Sequence, residues 1–201
     1  MTELEAVNRA FILLGVAPQS NLNNDVHAAR IASRSIDLSR RAVLAEFPWT
    51  FSLRLAALAI GGTPAPGWIN SYTYPNDVAV LWDIYREIEG DHTVHWELYD
   101  RDIERIKYQT NGTNIFTNHA PAFIEYGIDL PLSEFPVILK EAVVHKVAAD
   151  MAGTLTGSEQ ISISMLRRYM GILNQAKMDL LSNRNIKRIA AQQQAQEEES
   201  Q

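Results

Sequence analysis

The stretch Pro131-Leu-Ser-Glu-Phe-Pro136 opens a long apolar segment, Val137 to Leu155, and a second segment runs from Ser158 to about Ile189. Ser133 is a good helix N-cap, and Pro136 suits a first helical turn. Gly153 sits near the end of the first segment, and Thr156 and Glu159 have the spacing of a capping box for the second. In the second segment Ile161, Met165, Tyr169, Ile172, Leu173, Ala176 and Leu180 recur every three or four residues and so line one stripe. Two helices joined by so short a break run antiparallel. Their stripes need more apolar surface than the pair provides, and the N-terminus supplies it.

Thr2 and Glu5 form another capping box, followed by a short helix with Ala6, Val7, Ala10, Phe11, Leu13 and Leu14 as its apolar positions. Gly15 ends it, and Pro18 prevents continuation. Asn21 to Asp25 is turn-like, and Asn24 or Asp25 can cap the next helix, about Val26 to Glu46. That helix has Ala29, Ala32, Ile36, Val43 and Phe47 on its apolar side. Arg30, Arg34, Asp37 and Arg41 lie on the other, spaced for ion pairs one turn apart. The arginine face reads either as solvated surface or as a subunit contact. Phe47-Pro-Trp-Thr-Phe51 then breaks the helix, and aromatics around a proline read as a structural plug where helix hands over to strand: Phe47, Trp49 and Phe51.

From about Trp68 to Tyr126 the composition shifts to aromatic and β-branched residues. Gly61-Gly-Thr-Pro-Ala-Pro-Gly67 is a loop. Val78 to Tyr85 and Ala122 to Tyr126 read as strands. Thr93 to Tyr99 alternates as a half-buried strand does, with Gly90-Asp91 and Asn111-Gly112 as turns. The expected fold is mainly α (α+β): an antiparallel helix bundle from 1–51 and 129–190, an inserted β-rich lobe over 52–128, and a flexible C-terminal tail over 191–201. The tail, Gln192-Gln-Gln-Ala-Gln-Glu-Glu-Glu-Ser-Gln201, carries no apolar stripe, so order in it must come from extending the last helix or from a partner.

The chain has 201 residues, 46% of them hydrophobic, enough for a packed core. No run approaches the roughly 20 apolar residues of a membrane helix, so no membrane partner is expected. The acidic N-terminus leads straight into an amphipathic helix and does not resemble a signal peptide. With 0 cysteines, disulfides and thiolate metal sites are excluded. A net charge of -6 argues against a surface built to neutralise DNA phosphates, though DNA can slide along an acidic wall.

Motifs for chemistry are sparse. Gly61-Gly62 lacks the lysine and following helix of a phosphate loop, and there is no Gly-x-Ser-x-Gly elbow. His92 and His95 are spaced to opposite faces of a strand. His27, His119 and His145 stand apart. Asp100, Asp102 and Glu104 alternate with Arg101 and Arg105 as a mixed-charge surface. No catalytic residue, cofactor or metal is expected. On the residues alone a small soluble enzyme or a regulatory binding module stays open, the first marked by polar groups converging in a pocket.

Four stretches, taken in order, carry a resemblance. They are Ala6-Val-Asn-Arg-Ala-Phe-Ile-Leu-Leu-Gly-Val-Ala-Pro18 with its Asn-rich turn; the alanine-rich helix closing on Glu46-Phe-Pro-Trp-Thr-Phe-Ser52 with Leu55-Ala-Ala-Leu58; Tyr74-Pro-Asn-Asp-Val78; and Asp129-Leu-Pro131 with the helix ending Ala148-Ala-Asp-Met-Ala152. This resembles the tail tubular protein A family, the head-to-tail adaptors (connectors) of short-tailed phages, whose strand begins Tyr-x-x-Pro-x-Asp; here the tyrosine directly precedes the proline. The resemblance implies a structural virion protein, assembled in the host cytoplasm, that forms a ring of twelve copies. Its partners would be the portal protein and the tail nozzle protein, with tail fibres a further candidate, and DNA would be ejected through the channel without specific binding. On that reading Gln192, Gln193, Gln194, Glu197, Glu198 and Glu199 of the tail dock on the portal. Arg167, Arg168, Lys177, Arg184, Lys187 and Arg188 would face acidic neighbours in the ring.

Overall fold

The computed structural model describes residues 1–22, 27–86 and 104–199, with side chains followed to Ser182. The chain divides into one unit of Met1–Val43 with Leu130–Gln201 and another of Leu44–Asp129.

The first unit holds α1 (Glu3–Leu13), α2 (His27–Ala45, whose last residues cross into the second unit), α3 (Val137–Thr156) and α4 (Glu159–Glu199). The Thr2 hydroxyl accepts from the Glu5 amide at 3.2 Å and the Glu5 carboxylate accepts from the Thr2 amide at 2.8 Å, so the expected capping box starts α1. Gly15, at φ 70°, ends it. Asn8 then holds the exiting chain by a paired bond to the Gln19 amide and carbonyl, 2.8 and 2.9 Å.

α3 is the central helix of this unit. Leu139, Ala142, Val143, Val144, Val147, Ala148, Ala149, Met151 and Ala152 are all buried, and together they occupy every side of the helix. A helix buried in so many directions has to be covered by more than one neighbour. α1 and α4 both pack along it. The alanines let α4 approach closely enough for the Ser162 hydroxyl to donate to the Ala149 carbonyl at 2.8 Å. α2 buries Ala29, Ala32, Ile36 and Val43 and joins α3 through the Ser39 hydroxyl, 3.1 Å from Asp150, which also binds Lys146.

The helix ends differ from the sequence reading. Ser133 lies in a short 3-10 turn, Leu132–Glu134, and Pro136 takes the cap position of α3 with no side chain bonding the amides. Gly153 is passed through, and the left-handed cap is Gly157, at φ 66°. The Thr156 hydroxyl turns back to the Ala152 carbonyl at 2.7 Å, so Ser158 caps α4 instead, accepting from the Ile161 amide. The seven-residue stripe is as expected: Tyr169, Leu173 and Ala176 are buried and Ile161, Met165, Ile172 and Leu180 half-buried.

The second unit holds two antiparallel sheets. β1 (Leu53–Ala57), β7 (Phe123–Ile128), β3 (Val78–Arg86) and β4 (Glu104–Arg105) form one in that order; β2 (Asn70–Thr73), β6 (Asn114–Thr117) and β5 (Tyr108–Thr110) form the other. Ile84, Ile124 and Tyr126 from the first sheet meet Tyr72 and Ile115 from the second in one core, closed by Leu58, Ile106 and Ala122. The β5–β6 hairpin turns as expected at Asn111-Gly112. The Asn111 side chain accepts the Thr113 and Asn114 amides at 3.0 and 2.8 Å, and Gly112 sits at φ 89°, which glycine adopts without strain.

The expected mainly α helix bundle with an inserted lobe is therefore corrected to an α+β mix. The residues from Leu44 to Asp129 bury an apolar core of their own between two sheets, and only α1, α3 and α4 pair lengthwise as bundle helices do. The unit that holds the sheets spans Leu44–Asp129. The expected strand over Thr93 to Tyr99, the Gly90-Asp91 turn and the Asn24 or Asp25 cap lie outside the described residues.

Phe47-Pro-Trp-Thr-Phe51 makes the turn into β1. The Trp49 carbonyl accepts the Ser52 and Leu53 amides at 3.0 and 2.9 Å, and the Trp49 ring lies 5.2 Å from that of Phe47. Trp49 is 1% exposed, whereas Phe47 and Phe51 are half-buried. Trp49→Ala should cost roughly 3–5 kcal/mol, the scale for emptying a large core site. Urea unfolding checks it; a loss under about 1 kcal/mol would mean that the site closes over the missing ring.

Candidate functional site

The residues singled out for portal docking share one helix. Gln192, Gln193, Gln194, Glu197, Glu198 and Glu199 lie on the backbone of α4, which runs on to Glu199; their side chains lie outside those described. α4 has 41 residues against 20 in α3, so at about 1.5 Å per residue it spans roughly 60 Å and outruns its antiparallel partner by roughly half its length.

On α2, Arg30, Arg34 and Arg41 are exposed as expected, and Arg41 meets Asp37 one turn away at 3.3 Å. Sequence reading passed over Arg40. Its side chain is only 8% exposed, donating to Asp37 at 2.7 Å and to the Leu130 carbonyl, where it ties α2 to the chain entering α3. A cation sitting one position from an exposed arginine gives no sequence signal of this inward turn.

Among the described residues the histidines do not converge. His145 makes a 3.0 Å contact to the Glu141 carbonyl one turn back, His27 is exposed, and the pair at His92 and His95 lies outside the described residues. Among the described residues no group of three or more histidine, aspartate or glutamate side chains could hold a metal ion.

One polar cluster does form, on one face of the four-stranded sheet. Asp83 and Tyr85 are two apart on β3; Glu125 of β7 stands opposite Asp83, and Arg105 of β4 opposite Tyr85. The Tyr85 hydroxyl donates to Glu125, and Asp83 accepts from Arg105 at 2.7 Å. Burial, then the bond to Glu125, pushes the Tyr85 phenol well above its ordinary range. This pairing locks three strands together. A shallow groove of about 290 Å³ in the same unit is lined by Trp68, Arg105, Ile106, Lys107, Asn118 and His119, but Arg105 is engaged by Asp83 and the Trp68 indole by Gln109.

α4 shows what the sequence reading missed. Leu166, Met170, Met178 and Leu181 are exposed large apolar residues on a helix already contributing a buried stripe. Their spacing of four, eight and three was the available signal. No helix among the described residues is long and apolar enough to cross a membrane. No protein-family model matches the chain, and no curated protein matches it in sequence.

Tyr72, Tyr74, Tyr85, Tyr108 and Tyr126 all have phenols raised above their ordinary value, chiefly by burial. Each keeps its proton in the folded chain past the pH at which the unfolded chain releases it. Stability is thus unaffected below about pH 10 and falls as pH rises above it. The melting midpoint should hold between about pH 7 and 9 and drop beyond 10. A midpoint that stays level well above pH 10 would contradict the raised phenols of these five tyrosines.

Proposed function

We propose that this chain is a structural head-to-tail adaptor of a short-tailed phage, of the tail tubular protein A type. Copies form a ring, twelve by analogy with the family, between the portal and the tail nozzle, around the channel through which DNA leaves. Its place is the virion tail, and it works as a wall and a coupling rather than a catalyst.

The observation that carries the reading is α4. A helix of 41 residues beside one of 20 runs well past the length of its antiparallel partner, and its backbone continues through Gln192 to Glu199. Isolated helix of this polar composition gains little from its own propensity. Contacts with another protein supply what α3 supplies to the first half. The resemblance carried by the four ordered motifs quoted above supports reading that protein as the portal. A net charge of -6 suits a passage that DNA crosses without being held.

Deleting Gln192 to Gln201 tests the docking role. The melting midpoint should stay within error, since no buried residue of the described core is removed. Binding to purified portal rings should fall by roughly tenfold or more, because a small loss in each copy is multiplied around a ring. Undiminished docking by the truncated chain would remove the C-terminal segment from the portal contact.

A further inference from the structure

Asn111-Gly112 is the only Asn-Gly pair in the sequence. In such a pair the glycine carries no side chain to hinder its backbone nitrogen, which can attack the neighbouring carboxamide carbon. A bond forms between the Gly112 nitrogen and the Asn111 Cγ, the Cγ–Nδ2 bond breaks, and the leaving nitrogen takes the amide proton and departs as ammonia. The product is a five-membered succinimide ring. Water then opens the ring at either of its two carbonyls and leaves aspartate or isoaspartate at position 111.

The folded hairpin holds both reacting groups away from that ring. The Asn111 carboxamide oxygen accepts from the Thr113 amide and the Thr113 hydroxyl, each at 3.0 Å, and from the Asn114 amide at 2.8 Å. These bonds keep the carboxamide on the Thr113 and Asn114 side of the turn. The Gly112 amide, which is the nucleophile, donates to the Thr110 hydroxyl at 3.1 Å, and that hydroxyl donates to the Asn114 carbonyl at 3.0 Å. The Asn111 amide donates to the same carbonyl at 3.2 Å and closes the turn. Ring closure strips the hydrogen from the Gly112 nitrogen, so the bond to Thr110 is lost, and it draws the carboxamide away from its three donors. Access does not limit the reaction: Asn111 and Gly112 are exposed, and nothing lies within 4 Å of where a Gly112 side chain would begin.

We propose that Asn111 is a self-modification site masked by the β5–β6 hairpin, converted in molecules whose hairpin has opened. Its rate in the folded chain is then the open-chain rate multiplied by the open fraction. The aspartate product can accept the same three bonds and re-form the turn with one more negative charge. Isoaspartate places an extra main-chain carbon between positions 111 and 112 and loses the pairing of Asn111 with Asn114. The chemistry is the same whether or not the chain is a phage adaptor.

The full chain, kept at mildly alkaline pH either folded or in guanidinium, can be followed by peptide mapping and mass spectrometry, which read the conversion of amide to acid at position 111. Conversion should be about tenfold or more slower in the folded chain, the scale for a hairpin open less than about a tenth of the time. Thr110→Val keeps a strand-forming side chain and removes the acceptor of the Gly112 amide; it should speed conversion several-fold in the folded chain and leave the rate in guanidinium unchanged. Asn111→Asp should keep the melting midpoint of the parent. Equal rates for the folded and denatured parent overturn the mask whatever the variants do. A folded Thr110→Val chain that converts no faster than the parent removes Thr110 from it, and a lowered midpoint for Asn111→Asp overturns the tolerance of the acid.

Discussion

Everything in the first unit follows from the need to cover α3. Its nine buried residues are spread around the helix, so it needs partners on several flanks, with Asp150 left at the exposed edge. α1 and α4 provide two of them, and α2 provides a polar tie through Ser39 and Asp150. The alanines of α3 set how close α4 comes, and that closeness brings Ser162 to the Ala149 carbonyl. Once α3 is enclosed, the part of α4 that passes its end and the outer faces of α1, α2 and α4 are open to another molecule.

The second unit solves a different problem with the same economy of surface. Two small antiparallel sheets, neither stable alone, share one core through Ile84, Ile124, Tyr72 and Ile115. The outer face of the larger sheet is closed by charge pairing among Asp83, Tyr85, Arg105 and Glu125. Such a face is tied down rather than poised to react.

Helices were readable from the sequence because their periodic signal is long: the Thr2–Glu5 box, the Ala29 to Val43 side of α2 and the seven-residue stripe of α4 all stand where spacing puts them. Caps were less legible. Thr156 and Ser158 are both able to cap, and only the backbone decides that Thr156 bonds Ala152 instead. The fold class was misjudged because short strands such as Tyr108–Thr110 and Asn114–Thr117 give little period to count, so two sheets with a common core read as a lobe on a bundle. The inward turn of Arg40 and the outer face of α4 escaped notice for a related reason: each depends on which side is already occupied, which spacing alone does not say.

The central claim is that this chain closes into a ring against a portal. Native mass of the purified chain, alone and mixed with portal rings, addresses it directly. The account predicts a mixed particle carrying one closed set of copies per portal ring, about twelve by the family analogy, with excess chain left over. A chain that stays monomeric or dimeric and adds no mass to the portal would contradict it.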